Sequence, residues 1–492
     1  MQLEELLSAI PVIASEGDLN REITSIAYDS RKVKPGTLFV ATKGEKVDGA
    51  DFIPQAIQAG AAAIVSERAG IGGDKVAGIF VKNTREALAD LAATFYGHPM
   101  RELKVAGVTG TNGKTTTAFL LKQICEHYLW RCGLIGTVQY QIGDRVIPAA
   151  RTTPESLEVH DLLRQMVDGG CKAAAMEVSS HALSQARVRG VEFDVAIFSN
   201  LTQDHLDYHQ TMEAYFQSKA SLFTGLAGQA KPAKAVINID DGYGQRLVQT
   251  LGDSVPIVTY GQGARANFRA SNIRIDFNGT SYQLDANGKS YLVRLPLIGA
   301  FNVYNSLAAI AGAWVLNINV RQSLLALADA PPVPGRLQAV PGHRSFRVFV
   351  DYAHTDDALL NVIKTCRELK PARLIVVFGC GGNRDRTKRP RMGAVVDANA
   401  DFAIVTSDNP RKEDPEAIIR DILPGMPGKR YEVVLDRRQA IQRAIDLAGD
   451  RDIVLLAGKG HETYQEFADH TIPFDDAAIA TSAVSDKRGP AR

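Results

Sequence analysis

Residues 103–129 read LKVAGVTGTNGKTTTAFLLKQICEHYL. An apolar run opens the stretch and a glycine-rich loop follows. Leu121, Ile124, Cys125 and Tyr128 then recur on one face at helical spacing. The order is therefore strand, loop, helix. In the loop, Gly110, Thr111, Asn112, Gly113, Lys114, Thr115 and Thr116 form a phosphate cradle. Glycines let backbone N–H groups face a phosphate, the helix directs its positive end there, and Lys114 adds a charge. Thr115 stands where such loops place a hydroxyl on a magnesium ion. The strict P-loop pattern is broken at its first glycine position, which is Val108. A bare glycine turn leaves the adjacent Lys-Thr pair unaccounted for.

On both sides of this stretch the pattern stays α/β. AAAMEVSS, VAIFSN and AVINID read as strands, each followed by a helix. Such alternation predicts a parallel sheet covered on both faces. Residues 1–98 hold short strands (SIAYDS, TLFVAT, AAIVS) and two helical segments, and HPMRELK reads as a linker. The proline-rich DAPPVPGRLQAV reads as a second linker, before RVFVDYAH, ARLIVVFGCGG, ADFAIVTSDNP and DIVLLAGKGHE, strands that each end in a polar or glycine-rich loop. The fold expected is α/β in three domains, 1–98, 99–332 and 333–492, with a P-loop-type parallel sheet in the middle and a Rossmann-like unit last. The tail from about residue 483 is expected to be disordered.

Length and composition agree, since 492 residues suit about three domains of roughly 150 residues. A formal net charge of +1 provides no basic field, so nucleic acid is not indicated. Five scattered cysteines without paired metal spacing suggest reduced thiols in a cytosol. The segment MQLEELLSAIPVIAS carries acids where a signal peptide needs positive charge. No apolar run approaches the ~18 residues of a membrane span. A cytoplasmic monomer is expected.

Weaker constellations carry further chemistry. Glu177 closes a strand too apolar to hold a carboxylate casually, and Asp204, His205, Asp207 and His209 follow VAIFS. Carboxylate and imidazole near a nucleotide can ligate a divalent cation, although each alone also reads as a capped turn. Lys219, in YFQSKASLF, reads by itself as a solvated helical lysine. GKGHE closes a strand with Glu462 beside its glycines. SDNPRKEDP, residues 407–415, has both a turn signal in Asn-Pro and a helix start in Asp-Pro. It also crowds Asp408, Asn409 and Arg411 at a strand end, where open α/β sheets hold ligands.

In order along the chain, TGTNGKTT, MEVSSHAL, NLTQDHLDYH, YFQSKASLF, FNVYNSLAA, PGR, DYAHT, FGCGGNRD, DNPR and AGKGHE resemble the motifs of the Mur ligases of peptidoglycan synthesis, and within them the tripeptide-forming members. The resemblance runs from YDSR to GHE. It implies an N-terminal UDP-sugar-binding domain, a central ATP-binding domain and a C-terminal domain for the amino acid. The implied reaction adds meso-diaminopimelate to UDP-N-acetylmuramoyl-L-alanyl-D-glutamate through an acyl phosphate, using ATP and Mg²⁺. A lysine-adding member and a folylpolyglutamate synthase-like ligase are the nearest alternatives. A P-loop kinase or nucleotide switch would leave the C-terminal ligand-end loops without a role.

Carried over by motif, Gly110 to Thr116 bind the ATP phosphates, Thr115 and Glu177 lie near magnesium, and His205 serves a second metal. Lys219 matches a lysine that the family carries as an N6-carboxylate. Asn302 and Asn305 face adenine, Arg336 the phosphates and Asp351 the ribose. For the nucleotide-sugar peptide the matching positions are Tyr28, Ser30, Arg151, Thr152, Thr153, Ser179, Gln185 and Arg187, with Glu45, Lys46 and Val47 on a loop that touches uridine. Arg384, Asp408, Asn409, Pro410, Arg411, Gly458 and Glu462 build the amino-acid pocket. Three positions depart from the usual pattern: Asp356 stands for a common proline, Asn383 for a frequent aspartate and Arg151 for a frequent asparagine.

Overall fold

A computed structural model describes residues 1–44, 47–342, 345–428 and 430–487. Its backbone contacts divide into two compact units. One comprises Met1–Arg269, Asp285–Lys289 and Tyr304–Ala326, and the other Ala270–Leu284, Ser290–Val303 and the chain from Leu327 onward.

The first unit contains two sheets. A five-stranded sheet runs in the order Val12–Glu16, Ala77–Val81, Ala63–Ser66, Thr37–Val40, Ser25–Ala27, with only the first strand antiparallel to its neighbour. Helix Thr84–Phe95 buries Leu88 and Leu91, and the Asn83 side chain caps it by accepting from the N–H groups of Arg85 and Glu86. In the second sheet Lys104–Thr109 is central, with Ala173–Glu177 on one side and Val195–Phe198 on the other, all parallel. Register pairs Glu177 with Val108 and Phe198 with Thr109. The three strands thus end level, which places Gly110, Glu177 and Ser199 side by side at their carboxyl ends, the usual ligand edge of such sheets. Cys132–Ile135 continues the sheet on one flank and Lys234–Asn238 and Ile257–Gly261 on the other. The hairpin Gln139–Ile142/Arg145–Pro148 was not foreseen in the sequence. Neither were the strands Phe268–Asp276, Gly279–Ala286 and Lys289–Leu295.

The stretch read as the first linker is packed. It forms a short turn at Pro99–Arg101, and Met100 and Leu103 are buried in the core beneath the central sheet.

The second unit is doubly wound around the order Gln338–Ala339, Arg347–Asp351, Ile453–Ala457, Leu374–Phe378, Phe402–Val405, Tyr431–Val433, with only the first edge antiparallel. Helices Asp356–Glu368, Lys388–Asn399 and Pro415–Ile422 cover one face, while Arg437–Leu447 and Asp476–Asp486 cover the other. The expectation of a disordered tail from residue 483 is corrected for residues 483–487, and residues 488–492 lie outside the described residues. Ala483 and Val484 continue the apolar spacing of Ile479 and Ala480 and are buried with them, so the helix runs to Asp486. Its first residue, Asp476, is fully buried in a pair with Arg437 (Nη2–Oδ2 2.7 Å), and Arg437 also donates to the Ala457 carbonyl at 3.0 Å.

Among the described residues no helix is long and apolar enough to cross a membrane. The five cysteines are buried with free thiols.

One buried histidine makes the first unit acid-sensitive. His160, fully buried, lies with Nε2 3.2 Å from the Arg189 carbonyl, so Nε2 carries the proton, and its Nδ1 has no hydrogen-bond partner among the described residues. Burial pushes its pKa from 6.5 down to about 4. The unfolded chain therefore takes up a proton that the folded one refuses, and stability falls as pH drops through that window, by up to about 3 kcal/mol. Urea unfolding at pH 7 and pH 4.5 should show a smaller acid loss for His160→Gln than for the natural chain. Equal losses would mean that His160 is not the titrating group.

Candidate active site

Gly110 and Gly113 have φ of +145° and +87°, backbone states that an L side chain resists. A Cβ on Gly110 would lie 1.9 Å from Ser199 Oγ, and one on Gly113 2.4 Å from Asn305 Oδ1. The loop is clamped from the neighbouring strand end: Asn112 N–H donates to Asn200 Oδ1 at 3.0 Å and Ser199 Oγ donates to the Asn112 carbonyl at 2.6 Å. Neither Ser199 nor Asn200 stood out in the sequence, where they read as the end of VAIFSN.

Two cations converge on this loop. Lys114 Nζ donates to the carbonyls of Gly110 (2.9 Å) and Thr111 (2.8 Å), and Lys219 Nζ donates to the same Gly110 carbonyl at 2.8 Å. Lys219 is not the solvated lysine of an amphipathic helix. It is 1% exposed and lies 4.7 Å from the centre of the Tyr215 ring. Burial, with Lys114 nearby, holds its ammonium well below the ordinary lysine pKa. Tyr215 hydroxyl lies 3.2 Å from Thr111 Oγ1, which fixes the loop to the Lys219 helix.

Opposite the lysines is a carboxylate. Glu177 is 1% exposed; its Oε2 accepts from Thr115 Oγ1 (2.9 Å) and Thr137 Oγ1 (3.0 Å), and its Oε1 from the Thr137 N–H (2.7 Å). Gly136 has no room for a side chain, since a Cβ there would lie 2.4 Å from Glu177 Oε1. A hydroxyl and a carboxylate are hard oxygen donors of the kind that suits Mg²⁺. His205 caps the short helix Leu206–His209 with φ +53°, beside Asp204 (3.4 Å) and the His181 ring (4.9 Å between centroids).

From Glu177 the polar network runs on through positions expected to hold the nucleotide-sugar peptide. Thr137 Oγ1 meets Thr152 Oγ1 at 3.0 Å, Thr153 Oγ1 donates to the Glu177 carbonyl at 2.7 Å, and Ser179 N–H donates to Thr153 Oγ1 at 3.1 Å. Arg187 donates to the Thr153 carbonyl (3.0 Å) and to Gln185 Oε1 (2.7 Å), and pairs with Glu155 at 3.0 Å; Arg151 pairs with the same glutamate. Glu155 was not foreseen in the sequence. On the five-stranded sheet's side, Tyr28 hydroxyl donates to Glu158 Oε1 at 2.8 Å and Ser30 Oγ to Gln55 Oε1 at 2.9 Å. Val47 is exposed, and Glu45 and Lys46 lie outside the described residues. A cavity of about 1070 Å³ in this unit is lined by Arg85, His98, Arg189 and Gln229; of the expected site residues only Gln185 touches it. It is separate from the glycine loop.

Asn302, Arg336 and Asp351 belong to the second unit, whereas Asn305 belongs to the first. Asn302 is buried, with Nδ2 donating to the Ile298 carbonyl at 2.9 Å. Asp351 accepts from the N–H groups of Leu337 (2.7 Å) and Ala353 (2.9 Å), and burial raises its pKa despite nearby Arg336. Arg336 lies over the Tyr352 ring at 4.9 Å.

The second unit brings the remaining expected residues together at one sheet edge. Asn409 Nδ2 donates to Glu462 Oε2 at 2.8 Å, and a Cβ on Gly458 (φ +114°) would lie 2.7 Å from Asp408 Oδ2. Gly382 N–H donates to the Asn409 carbonyl at 2.9 Å, and the Pro410 carbonyl lies where a Gly382 Cβ would sit. Arg384 and Arg411 both flank Gly381. Lys459, passed over in GKGHE, is fully buried and donates to Asn409 Oδ1 and Glu462 Oε2, each at 3.0 Å. SDNPRKEDP is thus a turn whose Asp414 caps the helix Pro415–Ile422 and whose Asn409 packs in a largely buried polar cluster with Lys459 and Glu462.

With this geometry in hand, three family models match in sequence. A Mur ligase catalytic-domain model covers residues 22–96, the Mur ligase middle domain residues 108–313, and the Mur ligase glutamate ligase domain residues 335–460. The chain belongs to the Mur ligase family, and it is an ATP-dependent, amide-bond-forming ligase of three-domain α/β architecture. It is 46% identical to the UDP-N-acetylmuramoyl-L-alanyl-D-glutamate–2,6-diaminopimelate ligase of Geobacillus kaustophilus, over 99% of this chain and 100% of that one. The enzyme of the same name from Listeria innocua is 45% identical over 99% and 100%. A solved structure of a ligase of that name superposes with a TM-score of 0.72 at 33% identity, covering 99% of each chain.

Gly110→Ala tests the loop. With a short, hydrogen-bonded serine on one side and the Asn200 backbone at 3.0 Å on the other, the loop must shift. ATP affinity, read by calorimetry with a non-hydrolysable analogue, should fall at least ~10-fold, with about 1–3 kcal/mol of stability lost. Unchanged affinity would remove the phosphates from this loop.

Proposed function

We propose that this protein joins meso-diaminopimelate to the D-glutamate γ-carboxylate of UDP-N-acetylmuramoyl-L-alanyl-D-glutamate, in the cytoplasm and as a monomer. The observation that carries the choice of amino acid is the cluster of Arg384, Asp408, Asn409, Arg411, Gly458 and Glu462 at one sheet edge. The full-length likeness to ligases of that name supports it. Residues 1–98 would take the UDP-sugar, 99–332 the ATP and 333–492 the amino acid.

A carboxylate and an ammonium do not condense in neutral water. The γ-carboxylate oxygen takes the terminal phosphoryl group of ATP, ADP leaves, the neutral amine attacks the acyl carbonyl, and phosphate departs as the amide forms. Lys114 and the N-terminus of helix Lys114–His127 hold the phosphates in line, so catalysis here is mainly positioning and charge neutralisation. Thr115 and Glu177 would hold Mg²⁺, with His205 near a second ion, and the metal would supply further charge neutralisation. Asn302 and Asn305 face adenine, Arg336 the phosphates and Asp351 the ribose. Tyr28, Ser30, the loop of Glu45, Lys46 and Val47, Arg151, Thr152, Thr153, Ser179, Gln185 and Arg187 take the nucleotide-sugar peptide.

Lys219 fits this site better as an N6-carboxylate than as an ammonium. Its nitrogen shares a carbonyl with Lys114 in a buried place, and a carbamate, formed from amine and CO₂ with loss of a proton, would replace a repelling cation by anionic oxygens. Lys219→Ala should lose most turnover and regain part of it when short carboxylic acids are added. Normal rates in that variant would end this reading.

meso-Diaminopimelate exceeds lysine by one distal carboxylate, which the planar fork of Arg411 suits. Lysine would leave the Nη2 end of that fork without its carboxylate partner, a mismatch of about 10³-fold or more. ADP release should require dipeptide and diaminopimelate together, and Arg411→Ala should lower the rate with diaminopimelate far more than that with lysine. ADP formation without the dipeptide, or a natural enzyme that prefers lysine, would overturn the assignment.

A further inference from the structure

Arg411 occupies a backbone state that needs an explanation. Its φ is +52°, in the left-handed region, which costs an L residue other than glycine, asparagine or aspartate about 1–2 kcal/mol. It directly follows Pro410, and neither residue lies in a tight hairpin. Such outliers persist where surrounding contacts over-determine them. Here most of those contacts come from one residue outside every motif in the sequence, Glu466.

Glu466 ends the strand Tyr464–Glu466, which pairs with Thr471–Pro473 in a hairpin closed by the stacked rings of Phe467 and His470 (4.9 Å between centroids). It grips the pocket three times. Its carbonyl accepts from the Arg411 N–H at 3.0 Å, its own N–H donates to Asn409 Oδ1 at 3.0 Å, and its carboxylate Oε2 accepts from Arg411 Nε at 2.8 Å. Arg411 Nη1 donates to the Gly382 carbonyl at 2.9 Å. These contacts use Nε and Nη1 and leave the Nη2 group to point a donor elsewhere. The guanidinium is planar, so fixing two of its nitrogens fixes the third. Arg411 is 21% exposed and Glu466 41%, so the pair is wet enough to form and dry enough to hold a geometry.

We propose that Glu466 is the positioning residue of the amino-acid pocket: it locks Arg411 in its left-handed turn and aims Nη2 at the distal carboxylate of the diamino acid. The carboxylate of Glu466 also stands beside that point, where the ammonium on the same carbon of the substrate would lie. Arginine and glutamate together then complement a carboxylate and an ammonium carried by one stereocentre, which lysine lacks. This rests on the assignment of diaminopimelate as substrate.

The experiment is steady-state kinetics on the full-length enzyme with Glu466→Ala and Glu466→Gln. Glu466→Ala should raise KM for meso-diaminopimelate by about tenfold while kcat and the KM values for ATP and the dipeptide stay put, and preference over lysine should fall by the same factor. Glu466→Gln keeps an oxygen for Arg411 Nε and should recover most of the loss. An unchanged KM for diaminopimelate in Glu466→Ala overturns the proposal. So does a parallel rise in all three KM values, which marks a merely structural role. If Glu466→Ala does not fold, Glu466→Leu, which fills the space without an acceptor for Arg411 Nε, decides: a raised KM for diaminopimelate alone supports positioning, and an unchanged KM or an equal loss in every parameter opposes it. A natural enzyme that fails to use diaminopimelate at all would instead defeat the substrate assignment.

Discussion

Glu177 holds the first unit's site together. Its carboxylate is all but fully buried at the end of a strand whose other residues are alanine and methionine, and three hydrogen bonds from Thr115 and Thr137 satisfy it. A buried carboxylate without such partners is costly, so the surrounding loops are constrained to deliver them. The glycine at position 136 follows from this demand, because any side chain there would strike the carboxylate. The level ends of the parallel strands then put the same carboxylate between the glycine loop and Thr152 and Thr153. One charge thereby ties the glycine loop, through Thr115, to Thr137 and on to Thr152.

The two lysines at Gly110 are the counterpart of that carboxylate. Two ammonium groups directed at one carbonyl repel each other, and burial removes the water that would screen them. The depressed pKa of Lys219 is the local response. Tyr215, whose ring lies under the Lys219 ammonium and whose hydroxyl meets Thr111, keeps the helix and the loop in step.

Much of this was legible in the sequence where chemistry and local pattern coincide. The loop from Gly110 to Thr116 sits between a strand and a helix, as read, and the second unit is doubly wound around the strands that ended in polar loops. The pieces that could not be read depend on tertiary register. Asn200 and Ser199 matter because their strand ends level with Lys104–Thr109, and a single sequence does not show which strands are neighbours. Glu155 looks like a helix's first acid, yet its carboxylate gathers Arg151 and Arg187. Lys219, which by itself read as a solvated helical lysine, lies on a face that the fold turns inward. The packed linker at Met100 and the buried tail at Ala483 and Val484 fail for one reason, since polar residues on either side hid apolar positions that the core uses.

The DNPR turn shows how a local rule and a tertiary demand can share residues. Asn-Pro makes the turn and Asp414 starts the helix, so local propensity alone explains the chain path. It does not explain an arginine with positive φ, because a glycine or asparagine would hold that state with less strain. What selects arginine is its fork, tied to Glu466 through Nε and to Gly382 through Nη1, on a wall completed by Asn409, Lys459 and Glu462. Lys459 neutralises part of the acid at Glu462 and bonds Asn409, so the wall is held from within. Strain at Arg411 is then the local consequence of fixing a planar cation among three separate loops.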